Sequence, residues 1–271
     1  MSKKKARSSN RYAQIIASIF QKYHHRGARE VLFQRSDIEK AAKKLKIALP
    51  KNLGDVVYSF RYRAELPEAI TRKAPAEHTW VIRPAGRARY KFELIPVSEA
   101  DIAPSSCLVE TKIPDATPGV IDKYALNDEQ ALLAKIRYNR LIDIFTGLTC
   151  YSLQNHLLTA VGGMGQVETD EIYVGIDKRG AHYALPVEAK GKKDRIGIVQ
   201  IEQDVGVCKA KFPDLICHPI AAQFMDEDFI ALFLFELTND GVAIAAEKHY
   251  RLVPPEDLSA EELKAYRGRP L

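Results

Sequence analysis

Apolar residues recur at helical spacing in Ile15, Ile16, Ile19 and Phe20, and predict a helix over residues 10–23. Val31-Leu-Phe follows as a short strand. Ser36-Asp-Ile-Glu39 is a capping-box pattern and opens a helix reaching about Leu45. Pro50 marks a tight connection, and a second helix is predicted over residues 52–62. The period then changes. Residues 78–83 and 88–94 read as strands, and Pro84-Ala-Gly86-Arg87 carries turn signals between them. Residues 96–120, rich in Pro and Ser, read as a connection with at most one short strand. The basic residues 1–9 read as a solvated tail, with a phosphate-contacting arm as the secondary reading.

The second half alternates helices and strands. Asn127 can cap a helix running to about Phe145, with Leu132, Leu133, Ile136, Leu141, Ile144 and Phe145 on its apolar side. A further helix is predicted over residues 152–160, closed by Gly162-Gly-Met-Gly165. Strands are predicted over 166–176 and 182–190, with a turn at Asp177-Lys-Arg-Gly180, then a helix over 195–211. Strand-like runs at 215–224, 229–237 and 242–252 and a short helix at 258–266 complete the chain. The expected fold class is α/β (α+β).

Composition narrows the classes. With 271 residues, 46% of them hydrophobic, the chain can bury a core of one large or two modest domains. Its net charge of +5 suits a polyanionic partner without requiring one. Cys107, Cys150, Cys208 and Cys217 form no CxxC pair, which argues against a zinc site. The basic N-terminus lacks the apolar centre of a secretory signal. The longest apolar stretch, residues 229–237, is strand length and far from the roughly 20 residues that span a bilayer. The chain reads as soluble and cytoplasmic with reduced thiols. No P-loop is present, so no nucleotide cofactor is expected.

The chemistry gathers in Glu168-Thr-Asp170 and Glu188-Ala-Lys190. Side chains alternate along a strand, so Glu188 and Lys190 share a face, as do Glu168 and Asp170. Folded as a hairpin, the two strands can bring Asp170 opposite Glu188 and Lys190. Two adjacent carboxylates call for a cation. Mg²⁺ takes oxygen ligands and keeps several waters, and it can polarise a phosphate and activate water. A neighbouring Lys can stabilise developing charge or help deprotonate that water. Acidic-x-Lys also occurs at Glu110-Thr-Lys112 and Glu262-Leu-Lys264. The latter lies in a predicted helix, where i and i+2 do not share a face; the former runs into the Pro-rich connection. The apolar residues around Glu188, namely Ile172, Val174, Leu185 and Val187, argue against a solvated sheet face.

An acid on one strand, Glu-x-Lys on the next and a helix after resemble the PD-(D/E)XK nuclease superfamily over residues 127–252. The whole chain looks like the type II restriction endonucleases of restriction–modification systems. The resemblance implies a restriction-endonuclease-like mixed sheet flanked by helices, Mg²⁺ bound by Asp170 and Glu188, and Lys190 as the catalytic lysine. No Pro precedes Asp170, which leaves Glu168 open as a further metal ligand. Gln200 or Gln203 on the following helix could support the site. The implied activity is Mg²⁺-dependent, sequence-specific hydrolysis of double-stranded DNA. A homodimer fits a palindromic target. A repair or structure-selective nuclease of the same superfamily and a non-catalytic DNA-binding regulator are the alternatives.

Helix, helix–turn–helix and β-hairpin form the order of a winged-helix domain, expected over residues 10–95, with a linker at 96–120 and the nuclease domain at 121–271. The second helix of such a motif enters the major groove. Lys51, Asn52, Ser59, Arg61 and Arg63 are the candidate contacts there, and Arg83, Arg87 and Arg89 those of the wing. Leu53, Val56, Val57 and Phe60 suit its core. The histidines are scattered and form no metal motif. Tyr173 and Tyr183 read as core or rim residues.

Overall fold

The computed structural model describes residues 2–62, 64–126, 129–239 and 241–269. The chain forms two compact units. One comprises Met1–Ile102 with Thr159–Val167 and Gly197–Gly206; the other comprises Ala103–Leu158, Glu168–Ile196 and Val207–Leu271. Both are discontinuous, unlike the sequential division at residues 96–120.

The first unit runs α1 (Ser2–Tyr23), β1 (Glu30–Gln34), α2 (Arg35–Leu45), α3 (Gly54–Tyr62), α4 (Glu68–Thr71), β2 (His78–Pro84), β3 (Arg89–Pro96), α5 (Val97–Ala100) and β4 (Asp101–Ile102). α1 extends through the basic start that reads as a solvated tail, since Lys, Arg and Ala are all good helix formers. α2 begins one residue earlier than Ser36: the Gln34 N–H donates to the Asp37 carboxylate at 2.9 Å, so Asp37, not Glu39, closes the cap. β1, β3 and β2 form an antiparallel sheet in that order, with Phe92 of β3 opposite Val31 and Ile82. Ile15, Ile16, Ile19 and Phe20 of α1 pack with Val56, Val57 and Phe60 of α3 over this sheet. The Phe20 ring meets Trp80 and Phe92 edge-on, each at 5.0 Å between centroids.

The second part of the chain runs β5 (Glu110–Pro114), α6 (Gly119–Tyr124), α7 (Glu129–Tyr138), α8 (Leu141–Thr146), β6 (Thr149–Val161), β7 (Gly165–Ile176), β8 (His182–Lys190), β9 (Ile196–Gly197), α9 (Ile198–Lys211), β10 (Ile216–Cys217), β11 (Ile220–Asp226), β12 (Phe229–Thr238), β13 (Gly241–Val253) and α10 (Ala260–Arg267). Its mixed sheet has the order β5-β13-β12-β11-β8-β7-β6, with β10 pairing β8. β7 runs antiparallel to β8, and β11 parallel to it. Leu132, Leu133 and Ile136 of α7 and Leu141 and Ile142 of α8 cover one face, against Leu185, Val187 and Ala189 of β8 and Ile220, Ala222, Leu232 and Leu252 beyond. The architecture is thus a mixed sheet with helices packed on it.

Three expectations are corrected. Residues 152–160 are strand, not helix: the segment buries no apolar helical face, with Leu153 and Leu158 both exposed, and pairing with β7 decides the local state. The helix expected up to Phe145 breaks at Asn139-Arg140, where Arg140 has φ 51. Asn139 there bonds Asp115, Thr117 and the Lys135 carbonyl, tying the break to the chain before α6; its expected cap, Asn127, lies outside the described residues. The one short strand allowed in the Pro-rich connection is β5, which joins the main sheet beside β13. Pro219 separates β10 from β11 where one strand is predicted.

Candidate active site

β8 is the reason a site can form at all. It lies inside the sheet, and eight of its nine residues are buried. Polar groups on such a strand are costly unless paired, yet Glu188 and Lys190 are only 2% and 6% exposed. Their side chains form a buried ion pair, Lys190 Nζ to Glu188 Oε2 at 3.4 Å.

The antiparallel register of β7 and β8, with Glu171 opposite Val187 and Ile172 opposite Pro186, carries Asp170 to the level of Glu188. The Asp170 carboxylate accepts the Ala189 backbone N–H at 2.9 Å. The three predicted residues are therefore brought together. Burial opposes the charge of Lys190, but the carboxylates of Glu188, Asp170 and Glu129 outweigh it and hold the lysine above its ordinary pKa. Glu129, in the first turn of α7, is a member of this electrostatic group that strand-pattern reasoning missed. An acid at a helix start facing the motif was the available signal.

Glu168 goes elsewhere. It is partly exposed and faces His156 at 3.6 Å, so Asp170 rather than Glu168 is the acid beside Glu188. Gln200 and Gln203 lie on the stretch of α9 that belongs to the first compact unit. A further glutamine, Gln223 of β11, is in parallel register with Lys190. Gln223 is 8% exposed; its Nε2 donates to the Asp194 carbonyl at 2.8 Å, and its Oε1 is buried with no hydrogen-bond partner among the described residues. The Asp194 N–H in turn donates to the Gly191 carbonyl at 3.0 Å, closing the turn that leaves β8.

The two decoy triplets are structural. Glu110 pairs with Arg251 at 2.8 Å and Lys112 with Glu262 at 2.7 Å, while Glu262 also caps α10 through the Ser259 N–H. Tyr173 and Tyr183 are buried core residues, and His182 is exposed. All four cysteines are free. Among the described residues no three His, Cys, Asp or Glu side chains converge as a ready-made metal site. Asp170 and Glu188 are still an all-oxygen pair of the kind that suits Mg²⁺, which binds through one or two carboxylates and retains waters.

In the first unit, Lys51, Arg87 and Arg89 are exposed. Asn52 is a local cap, accepting the Gly54 N–H at 3.1 Å and donating to Asp55 at 2.8 Å. Ser59 and Arg61 are half-buried, and Arg63 lies outside the described residues. Arg83 differs from expectation: its guanidinium is held by Glu93 at 2.9 Å and by Glu202, so it is committed within its own unit. No helix among the described residues is long and apolar enough to cross a membrane. Compared with known proteins, the chain matches no family model, no curated protein and no solved structure.

Proposed function

We propose that the chain is a Mg²⁺-dependent endonuclease of double-stranded DNA, similar to type II restriction endonucleases of the PD-(D/E)XK superfamily. The observation that carries this reading is Asp170 on β7, fixed to the backbone of β8 between Glu188 and Lys190. Further support comes from the order of elements around it: a helix, three antiparallel strands, a helix, and a strand parallel to the third. In this reading Asp170 and Glu188 would hold the metal. Bound there, Mg²⁺ would polarise the scissile phosphate and lower the pKa of an attacking water. Lys190 sits beside both carboxylates and would stabilise charge developing on the phosphate. Gln223 would position Lys190 or that water through its spare Oε1.

The first unit supplies the DNA-binding half of the proposal. Its helices and three-stranded antiparallel sheet follow the order of a winged-helix domain, with α3 as the recognition helix. Lys51, Arg87 and Arg89 are the exposed cations suited to phosphate and base edges. Cutting both strands of a symmetric sequence calls for two copies related by a twofold axis.

The test is digestion of a sequenced plasmid with Mg²⁺, with fragment ends mapped. Discrete, reproducible ends are expected. Cleavage confined to branched or damaged DNA would replace the reading with a repair nuclease. DNA binding with no cleavage under any divalent cation would overturn it in favour of a non-catalytic regulator.

A further inference from the structure

A cavity of about 290 Å³ lies among α7, α8, β6 and β7, within the second unit. Side chains alternate along β7, so Tyr173, which lines the cavity, points away from Asp170. The cavity is thus on the other face of β7 from the candidate active site. Protein interiors pack as densely as organic crystals, and a space of this size is that of a small ligand pocket rather than a packing defect. Ile136, Ile142 and Cys150 give it apolar walls, and all three are buried. Burial pushes the Cys150 thiol up to about 11, so it stays neutral and is no nucleophile. The cavity is built to bind, not to react.

Its polar groups say what it would bind. Tyr173 is 3% exposed, and its hydroxyl makes no hydrogen bond. Glu171 and Arg137 act on that hydroxyl electrostatically without reaching bonding geometry. Buried hydroxyls almost always have a partner, so this one is a donor aimed into the cavity. Arg137 and Arg140 line the same space, opposed there only by Asp143. Asp143 is already engaged: it accepts the Cys150 backbone N–H at 2.9 Å and Arg140. The Ser152 hydroxyl is engaged too, donating to Glu171. Glu171 does not line the cavity, and two bonds from Arg137 balance its charge. What is left for a ligand is a hydroxyl donor, an excess of one positive charge and apolar walls. We propose that this cavity binds a small carboxylate with an apolar body. The carboxylate accepts the Tyr173 hydroxyl, with Arg137 and Arg140 supplying the positive field. The body lies against Ile136, Ile142 and Cys150. The inference uses no part of the nuclease reading.

Titration of the full chain, with ¹³C-labelled isoleucine methyls, against 3-phenylpropionate and its neutral amide tests it. The methyl signals of Ile136 and Ile142 are expected to shift saturably with the acid, with a Kd of about 1 mM or tighter. The amide should bind about tenfold more weakly. Tyr173→Phe should weaken the acid about tenfold, the loss of one hydrogen bond to a charged group. It should also keep its unfolding midpoint, because the hydroxyl it removes makes no internal bond. Arg140→Gln, at the exposed rim, should weaken the acid and leave the amide unchanged. No saturable shift at Ile136 and Ile142, equal affinity for acid and amide, or wild-type affinity in Tyr173→Phe overturns the proposal.

Discussion

Asp170 and Ala189 are joined by a hydrogen bond of 2.9 Å from the alanine N–H to the aspartate carboxylate. The bond fixes one acid to the backbone between the other two site residues, so its geometry does not depend on a flexible side chain. Asp170→Asn keeps the shape and removes the charge. It is expected to lower cleavage about a thousandfold or more, the several kcal/mol that a metal contributes to phosphate chemistry. Lys190→Ala should lose cleavage by about 100- to 1000-fold while retaining Mg²⁺-independent DNA binding, measured by gel shift beside plasmid cleavage. Wild-type cleavage by Lys190→Ala would refute the assignment.

Gln223 gives a finer test. If its Oε1 positions Lys190 or the attacking water, Gln223→Ala lowers kcat about tenfold, equivalent to 1.4 kcal/mol, and leaves KM for DNA near wild type. A purely structural role would instead lower the unfolding midpoint with kcat unchanged per folded molecule. Measuring kcat, KM and thermal unfolding on the same preparation separates the two.

Glu171, on the opposite face of β7 from Asp170, is fully buried and receives Arg137 through Nε at 3.1 Å and Nη2 at 2.9 Å. Ser152 also donates to it. Removing the cation strands a buried carboxylate. Arg137→Met is therefore expected to destabilise by about 2–4 kcal/mol, at the lower side of the range for buried pairs because Arg137 is itself partly exposed. The double variant Arg137→Met, Glu171→Leu should recover most of that loss in denaturant unfolding.

Burial pushes the Tyr250 hydroxyl up to about 12. In the unfolded chain it ionises near its ordinary value of about 10. Between those values the native state holds the extra proton, so stability falls as pH rises from 10 to 12 and is fully present below 10. Tyr250→Phe should flatten that part of the alkaline stability curve by about 2–3 kcal/mol at its upper end. A curve of unchanged slope would show that Tyr250 is not the group responsible.

The legible parts of the sequence were those where local pattern and global pairing agree. Glu188 and Lys190, alternating with apolar neighbours after an acidic strand, announced themselves because period, turn and chemistry coincide. β6 was misread as a helix over residues 152–160 because only pairing with β7, which no local pattern encodes, makes the segment a strand. A short strand was allowed in the Pro-rich stretch, but its place in the main sheet was not legible, because its partner, β13, lies more than a hundred residues further along. Gln223 could not be found from spacing at all. Its place beside Lys190 comes from the parallel register of β11 with β8, which no local motif encodes.

The position of β8 has a consequence for heat. A strand flanked on both sides and covered on both faces is among the last segments of a unit to open, whereas ends and edges fray first. Residues mounted on it keep their spacing through partial melting elsewhere. A site built from Glu188 and Lys190 should therefore fail in a single step with the collapse of its unit, and inactivation and unfolding should share one transition.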